Sequence, residues 1–341
     1  MVAFLTGASV FAQAPQPELD LFLRRQLAFS TFDLNNLQSG HTVVKMPKTA
    51  EVREVAVIAV TQVDVPLPFF EASVRDIVNF KKSESVVQIG RFSDPPKLED
   101  LAGLVIDAVD IEGIRHCRVN NCELKMPSRF IEWFQSLVDW NHPDYRKRVG
   151  ELTRQMLLSQ VQEYLQGGIG ALGQYNDKPY PLVRNDEFRS LLQPVSYFFR
   201  YFPAIQKCLQ DYPLSQPEDV EHVLYWSKEK FGGKAVISLT HLSIHKLFRP
   251  GWTELLIASK GIYASHYFEA SLGLTWLIPQ QDGPDSRTNL IYVNRSRADP
   301  LRGVFGGLKR SLITGSVRDG ARKNMDSLKQ RLESQYRKTA F

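Results

Sequence analysis

Between Val223 and Arg295 the apolar residues recur with period two, and beyond Arg295 they recur at steps of three and four to the end of the chain. A run of strands followed by one long amphipathic helix is therefore required. Val223, Tyr225 and Ser227 alternate with polar or large neighbours up to Phe231-Gly232-Gly233-Lys234, a hairpin signal of the Gly-Gly kind. Residues 235–246 and 253–259 predict two more strands, Lys260-Gly261 a turn, and 262–278 a long strand with His266, Phe268, Leu272, Leu274 and Trp276 at its even positions. The polar stretch 280–286 leads to a strand at 288–295. The final helix carries Leu301, Phe305, Leu308, Leu312, Val317, Ala321, Met325, Leu328, Leu332 and Tyr336 as a continuous stripe.

Upstream, residues 19–36 read as helical, 40–46 and 52–65 as Val-rich strands, and 85–92 as a further strand. The middle is helical: 128–138, 145–165 and, broken by Pro194 and Pro203, 185–210. The segment 128–210 is expected to be a helical insertion between early and late strands of one sheet. With 43% hydrophobic and 23% charged residues the chain is neither disordered nor fibrous.

The first 14 residues are apolar and end Ala12-Gln13-Ala14, as an export leader does, although the basic start of such a leader is missing. An ordinary buried segment is the alternative. With the leader removed, residues 15–341 are expected to form one domain, periplasmic or secreted, because no other stretch approaches the ~18 apolar residues a membrane span needs. In such a compartment Cys117 and Cys122, around Arg118-Val119-Asn120-Asn121, are expected to form a disulfide. Zinc is the rival reading, but no second Cys pair stands at ligand spacing. Cys208 is left as a buried thiol.

The net charge of +5 is unevenly placed: residues 287–341 hold 13 Lys/Arg against 4 Asp/Glu, a local +9, which leaves −4 for the rest. Lys309, Arg310, Arg318, Arg322 and Lys323 flank the apolar stripe, a pattern that suits either a solvated outer face or peripheral contact with an anionic membrane surface. Nucleic acid is not expected as a partner of an exported chain.

Gly168-Ile169-Gly170-Ala171-Leu172-Gly173 matches a dinucleotide fingerprint formally, yet a helix precedes it where a strand is needed. His241 and His245 have helical metal-ligand spacing, but on a strand they lie about 13 Å apart, too far to share a metal. No metal, cofactor or catalytic set is assigned.

His266-Tyr267-Phe268-Glu269-Ala270-Ser271-Leu272-Gly273-Leu274-Thr275, then Asn289-Leu290-Ile291-Tyr292-Val293-Asn294-Arg295-Ser296-Arg297, then Gly303-Val304-Phe305-Gly306-Gly307-Leu308-Lys309-Arg310 together resemble the end of the START and polyketide-cyclase-like superfamily and of secreted bacterial members of it. The resemblance spans residues 40–65 and 221–336 and rests on element order. It implies an α+β helix-grip fold, in which a curved antiparallel sheet wraps a long C-terminal helix and encloses a cavity. It also implies a carrier for a hydrophobic, lipid-like small molecule, with Phe268, Leu272, Leu274 and Trp276 facing Phe305, Leu308 and Leu312 and with His266 as a polar anchor. Two alternatives stand beside it. One is a hydrolase or cyclase using His266 with Tyr263, Tyr267 or Glu269; the other is an envelope protein that works through its surface.

Overall fold

The computed structural model describes residues 16–231, 233–280, 286–299 and 306–339, with backbone alone at 16–17 and 306–313. In chain order it contains α1 (Gln16–Leu27), α2 (Thr31–Gln38), β1 (Val43–Lys45), β2 (Glu54–Val63), α3 (Leu67–Arg75), α4 (Ile77–Phe80) and β3 (Val86–Arg91). The helical middle follows as α5 (Ala108–His116), α6 (Ser128–Leu137), α7 (Tyr145–Ala171), the short strands β4 (Gln174–Tyr175) and β5 (Leu182–Val183), α8 (Arg184–Leu192), α9 (Ser196–Phe199) and α10 (Pro203–Asp211). The chain then runs through β6 (Val220–Lys230), β7 (Ala235–Arg249), β8 (Trp252–Ala264), β9 (Phe268–Pro279) and β10 (Thr288–Ala298) to α11 (Gly306–Thr339).

The eight longer-range strands form one curved antiparallel sheet in the order β1-β2-β10-β9-β8-β7-β6-β3, so the fold is α+β with a large sheet and a long C-terminal helix. One face packs under α1, α2 and α5–α10: Phe22, Leu34, Ile111, Phe130, Leu152, Phe188, Phe198 and Ile205 meet Ile58, Leu239, Leu256, Leu272, Leu274 and Ile291. The other face packs under α3, α4 and α11, where Phe70, Val74, Ile77, Met325 and Leu332 meet Val63, Ile244, Leu255, Leu277 and Leu290. Both faces are buried over much of their area, which is why β2, β8 and β9 read as nearly continuous apolar runs.

Local chemistry sets several boundaries. The helix expected over 19–36 is two helices, because Ala28 adopts a positive φ of 55° and Ser30 closes a capping box with Asp33. Lys260-Gly261 is not a turn. β8 runs through it, and the chain reverses at Ser265-His266-Tyr267, with Tyr267 at φ 61°. Gly261 serves packing instead: a Cβ there would stand 2.2 Å from Ser271 Oγ on the neighbouring strand. The glycine-rich 168–173 stretch also has a packing reason, since Gly168 (φ 65°) breaks α7 where a Cβ would meet the Tyr212 carbonyl oxygen.

α11 touches both margins of the sheet. Thr42 Oγ1 donates to Asp326 at 2.5 Å and Lys329 Nζ to the Gly40 carbonyl at 3.1 Å beside β1, while Lys323 pairs with Glu84 at 2.7 Å and Arg331 donates to the Phe80 and Lys82 carbonyls ahead of β3. Eight strands laid flat would be roughly 33 Å across, and a helix is about 10–12 Å wide with its side chains. One helix reaches both margins because the sheet curves toward it.

Candidate functional site

The α11-facing side of the sheet is divided in two along its strands. At the β2 C-terminal end it is apolar and filled, with Leu255, Ile257, Leu277 and Leu290 lying under Phe70, Met325 and Leu332. Toward the β2 N-terminal end the same face changes character. Cross-strand register places Ser227 beside Ser238, Thr240 beside Gly261, Ser259 beside Gly273, and Asn294 and Ser296 beside Gly273 and Ser271. Ser238, Thr240, Ser259, Ser271 and Thr275 are all partly exposed, and their hydroxyls have no hydrogen-bond partner among the described residues. Gly273 and Gly261 leave room for the Ser259 and Ser271 hydroxyls, so the floor is flat as well as polar.

One wall of this floor is charged and internally neutralised. Lys81, just after α4, donates to Glu229 at 2.8 Å and to Tyr225 Oη at 3.4 Å, and Ser227 donates to Glu229 at 2.6 Å. Burial works against the Glu229 charge, yet the Lys81 charge and these hydrogen bonds outweigh it and hold the carboxyl below its usual range. Burial likewise opposes the Lys81 charge and is outweighed by Tyr225 and Glu229, so the ammonium persists. Neighbouring Tyr292 is pushed upward by burial and stays a neutral phenol.

The side chains expected to line a ligand cavity lie elsewhere. Leu272, Leu274 and Trp276 do share a face, but it is the face opposite α11. There Trp276 is enclosed by the rings of Phe22, Phe198, Tyr201 and Phe202, with centroids 5.0–6.1 Å away, and its indole donates to Glu254 at 3.1 Å. The strand periodicity was legible, but the helical insertion covers this face and α11 the other. Phe268 is half-buried against Phe231. Phe305 and the side chains of Leu308, Leu312, Lys309 and Arg310 lie outside the described residues. Arg318, Arg322 and Lys323 are exposed, with Arg318 3.3 Å from Asp319 and Lys323 on Glu84, so acidic neighbours offset part of this basic flank.

His266 is 3% exposed, with Nε2 2.9 Å from Asp110 and Nδ1 3.3 Å from the Glu123 carbonyl. Two of the three partners considered for it as a catalyst are engaged otherwise: Tyr267 Oη accepts from the Lys234 amide, and Glu269 pairs with Arg53, while Tyr263 is buried at 3% exposure. Arg53 also holds Glu187, which Arg297 reaches at 2.6 Å, so that carboxylate belongs to a structural ion network.

A second buried polar cluster lies on the far face. Tyr164 Oη stands 2.7 Å from His241 Nδ1, and His241 Nε2 2.9 Å from His222 Nδ1. Lys260, paired with His241 across β7 and β8, donates to the Leu209 carbonyl at 2.6 Å beneath the Phe188 ring. Burial pushes Lys260 down to about 7 and His241 well below its ordinary value, the latter also through His222 and Lys260. His245 Nε2 meets Asp219 at 2.7 Å and shares no site with His241, and among the described residues no group of three His, Cys, Asp or Glu side chains is placed to hold a metal.

Cys117 and Cys122 stand at disulfide distance, and Cys208 is buried with its thiol pushed up to about 11 by burial. Thiol labelling of the native chain without reductant is therefore expected to modify none of the three cysteines, and denaturant alone to expose one. Labelling of Cys117 or Cys122 under native, non-reducing conditions would refute the pairing.

Of the floor residues, Ser271 and Thr275 stand at odd positions of the strand expected over 262–278, opposite its apolar even positions, and Ser238, Thr240 and Ser259 lie in the strands expected over 235–246 and 253–259 with no pattern that sets them apart. Asp110 and Lys81 gave no signal at all, since their partners lie far away in sequence. Compared with known proteins, the chain matches no family model, no curated protein and no solved structure.

Proposed function

We propose that the chain is an extracytoplasmic binding protein of the helix-grip kind, which holds an uncharged, lipid-like amphiphile by its polar group on the hydroxyl floor facing α11. The unpartnered, partly exposed hydroxyls of Ser238, Thr240, Ser259, Ser271 and Thr275 carry this reading. The curvature of the sheet toward α11 supports the helix-grip part, and the Cys117–Cys122 pair supports an oxidising compartment. Two comparisons of magnitude select the ligand chemistry. An alkyl chain laid on the floor would desolvate those hydroxyls without replacement, at about 1–3 kcal/mol each. An anion would find Lys81 already neutralised by Glu229. A group that both donates and accepts, such as a hydroxyl, amide or glycosyl head, meets neither obstacle.

Native mass spectrometry of gently purified chain is expected to show a co-purifying neutral amphiphile. A double variant, Thr240→Val with Ser259→Leu, should weaken its binding by at least about tenfold, while stability stays within about 0.5 kcal/mol because both positions are partly exposed. Undiminished binding by that variant, or no ligand in native spectra and in a melting screen of neutral amphiphiles, would sink the reading.

A further inference from the structure

We propose that the polar group held on the hydroxyl floor is a glycosyl ring, an inference that rests on the binding reading above and narrows its ligand to a glycoside. The extent of the floor carries it. Thr240 pairs with Gly261 across β7 and β8, and the Ser271 hydroxyl fills the space over Gly261, 2.2 Å from where a Cβ would stand. The Ser259 hydroxyl fills the space over Gly273 in the same way, and Asn294 Nδ2 reaches that glycine from β10. Thr240, Ser259, Ser271 and Asn294 thus come from four adjacent strands and make one partly exposed polar patch. Its members stand a strand spacing or a pleat apart, about 5–7 Å.

A head with a single hydroxyl or amide reaches partners about 3 Å away, so it serves two such groups at most and strips water from the rest. A ring that carries several hydroxyls on its edge matches a patch of this extent, because each of them donates and accepts as the floor hydroxyls do. Charge excludes other heads of similar size. A phosphate, sulfate or carboxylate would stand against Glu229 and an ammonium against Lys81, whereas a neutral ring leaves that 2.8 Å ion pair undisturbed.

α11 supplies the apolar counterpart. Val317 and Ala321 precede Met325 in one stripe at steps of four, yet they stay partly exposed where Met325 is buried against the sheet. The sheet therefore leaves that part of the stripe incompletely covered. It offers apolar surface to the C–H face of a ring or to the first methylenes of an attached alkyl chain.

Calorimetric titration of the full chain with submicellar probes of one chain length tests this. The probes are the octyl glycosides of glucose, galactose and maltose, set against octanol and N-(2-hydroxyethyl)octanamide. The best glycoside is expected to bind at least about tenfold more tightly than either of the other two. Thr240→Val, Ser259→Ala and Ser271→Ala should each weaken it by about two- to tenfold, the loss of one neutral hydrogen bond. Octanol or the amide binding as tightly as every glycoside, or a glycoside preference untouched by all three substitutions, would overturn the glycosyl inference. In the first of those outcomes the binding reading survives through the probe that binds; no binding by any probe sinks both. Methyl glycosides that bind as tightly as the octyl ones would keep the ring and assign it to a free saccharide, not a lipid. The selectivity of the native chain decides alone if a variant does not fold.

Discussion

Lys260→Met is expected to make the protein more stable at pH 7 and to remove most of the dependence of its stability on pH between about 7 and 10.5. Lys260 is 2% exposed and, among the described residues, has no carboxylate in an ion pair with it. It donates one hydrogen bond to the Leu209 carbonyl and lies under Phe188 and Tyr164. Desolvation lowers its folded-state pKa to about 7 from the ordinary 10.5. Above pH 10.5 the amine is neutral in both states and costs nothing extra. As pH falls from 10.5 to 7 the unfolded chain takes up a proton that the folded chain does not, so stability declines; below 7 both carry it and the loss is constant. At about 1.4 kcal/mol per unit the loss amounts to roughly 5 kcal/mol. Met retains the stem's packing but leaves the Leu209 carbonyl without its donor, at about 1–3 kcal/mol. A net gain of about 2 kcal/mol is therefore expected from urea denaturation at pH 7, shrinking to a loss near pH 11. A variant no more stable than the native chain at pH 7, with an unchanged pH slope, would show that Lys260 is solvated or paired in solution.

Acid should act on the same cluster from the other side. His241 and His222 both have folded-state pKa values depressed by burial, with Lys260 adding to the shift in each. Their contribution to stability is complete above the unfolded value near 6.5 and is lost as pH falls through the depressed folded values. This loss persists in Lys260→Met, though it weakens, because one neighbouring positive charge is gone.

The parts of this architecture that depend on local periodicity were legible in the sequence. Even positions from Ala270 to Ile278 do share a face, and the hairpin between Lys230 and Ala235 and the strand at 86–91 fall where turn residues and alternation place them, while the helix from Ser128 starts as expected but behind Pro127 and without a side-chain cap. What period two cannot convey is which layer covers which face. Leu272 and Trp276 look the same to the sequence whether α11 or α9 and α10 lies above them, and the 128–210 insertion decides that through contacts more than 70 residues away. The β8–β9 reversal was misplaced for a different reason. Lys260-Gly261 has turn chemistry, but its glycine is needed for close approach to Ser271, while Tyr267 accepts a conformation few side chains adopt. Buried polar pairs were the least legible of all: His266 and Asp110 are 156 residues apart, and nothing in either local sequence names the other.

Trp276→Ala, finally, should lower stability by about 3–5 kcal/mol and leave ligand binding at the hydroxyl floor unchanged. Trp276 is 5% exposed, and four aromatic rings surround it in edge and tilted geometries that add about 0.5–1.5 kcal/mol per pair beyond area burial. The rings come from α1, α9 and, as Tyr201 and Phe202, the link between α9 and α10, so truncation loosens several helices from β9 at once, and the Glu254 carboxylate that accepts from the indole loses that donor while keeping Trp252 at 3.0 Å. The effect separates two roles for the same residue. In a packed core, removal of the indole reduces the denaturation midpoint and leaves ligand affinity intact. In an open ligand cavity the surrounding space already exists, so truncation would cost little stability and would change affinity instead. The Thr240→Val/Ser259→Leu variant predicts the reverse pattern, since its positions are partly exposed and face α11. Measured side by side by urea denaturation and by titration with a neutral amphiphile, the two variants should therefore fail in opposite assays. If Trp276→Ala weakens binding while its stability stays within about 1 kcal/mol of native, the ligand space belongs on the helical face of the sheet and the assignment of the floor is wrong.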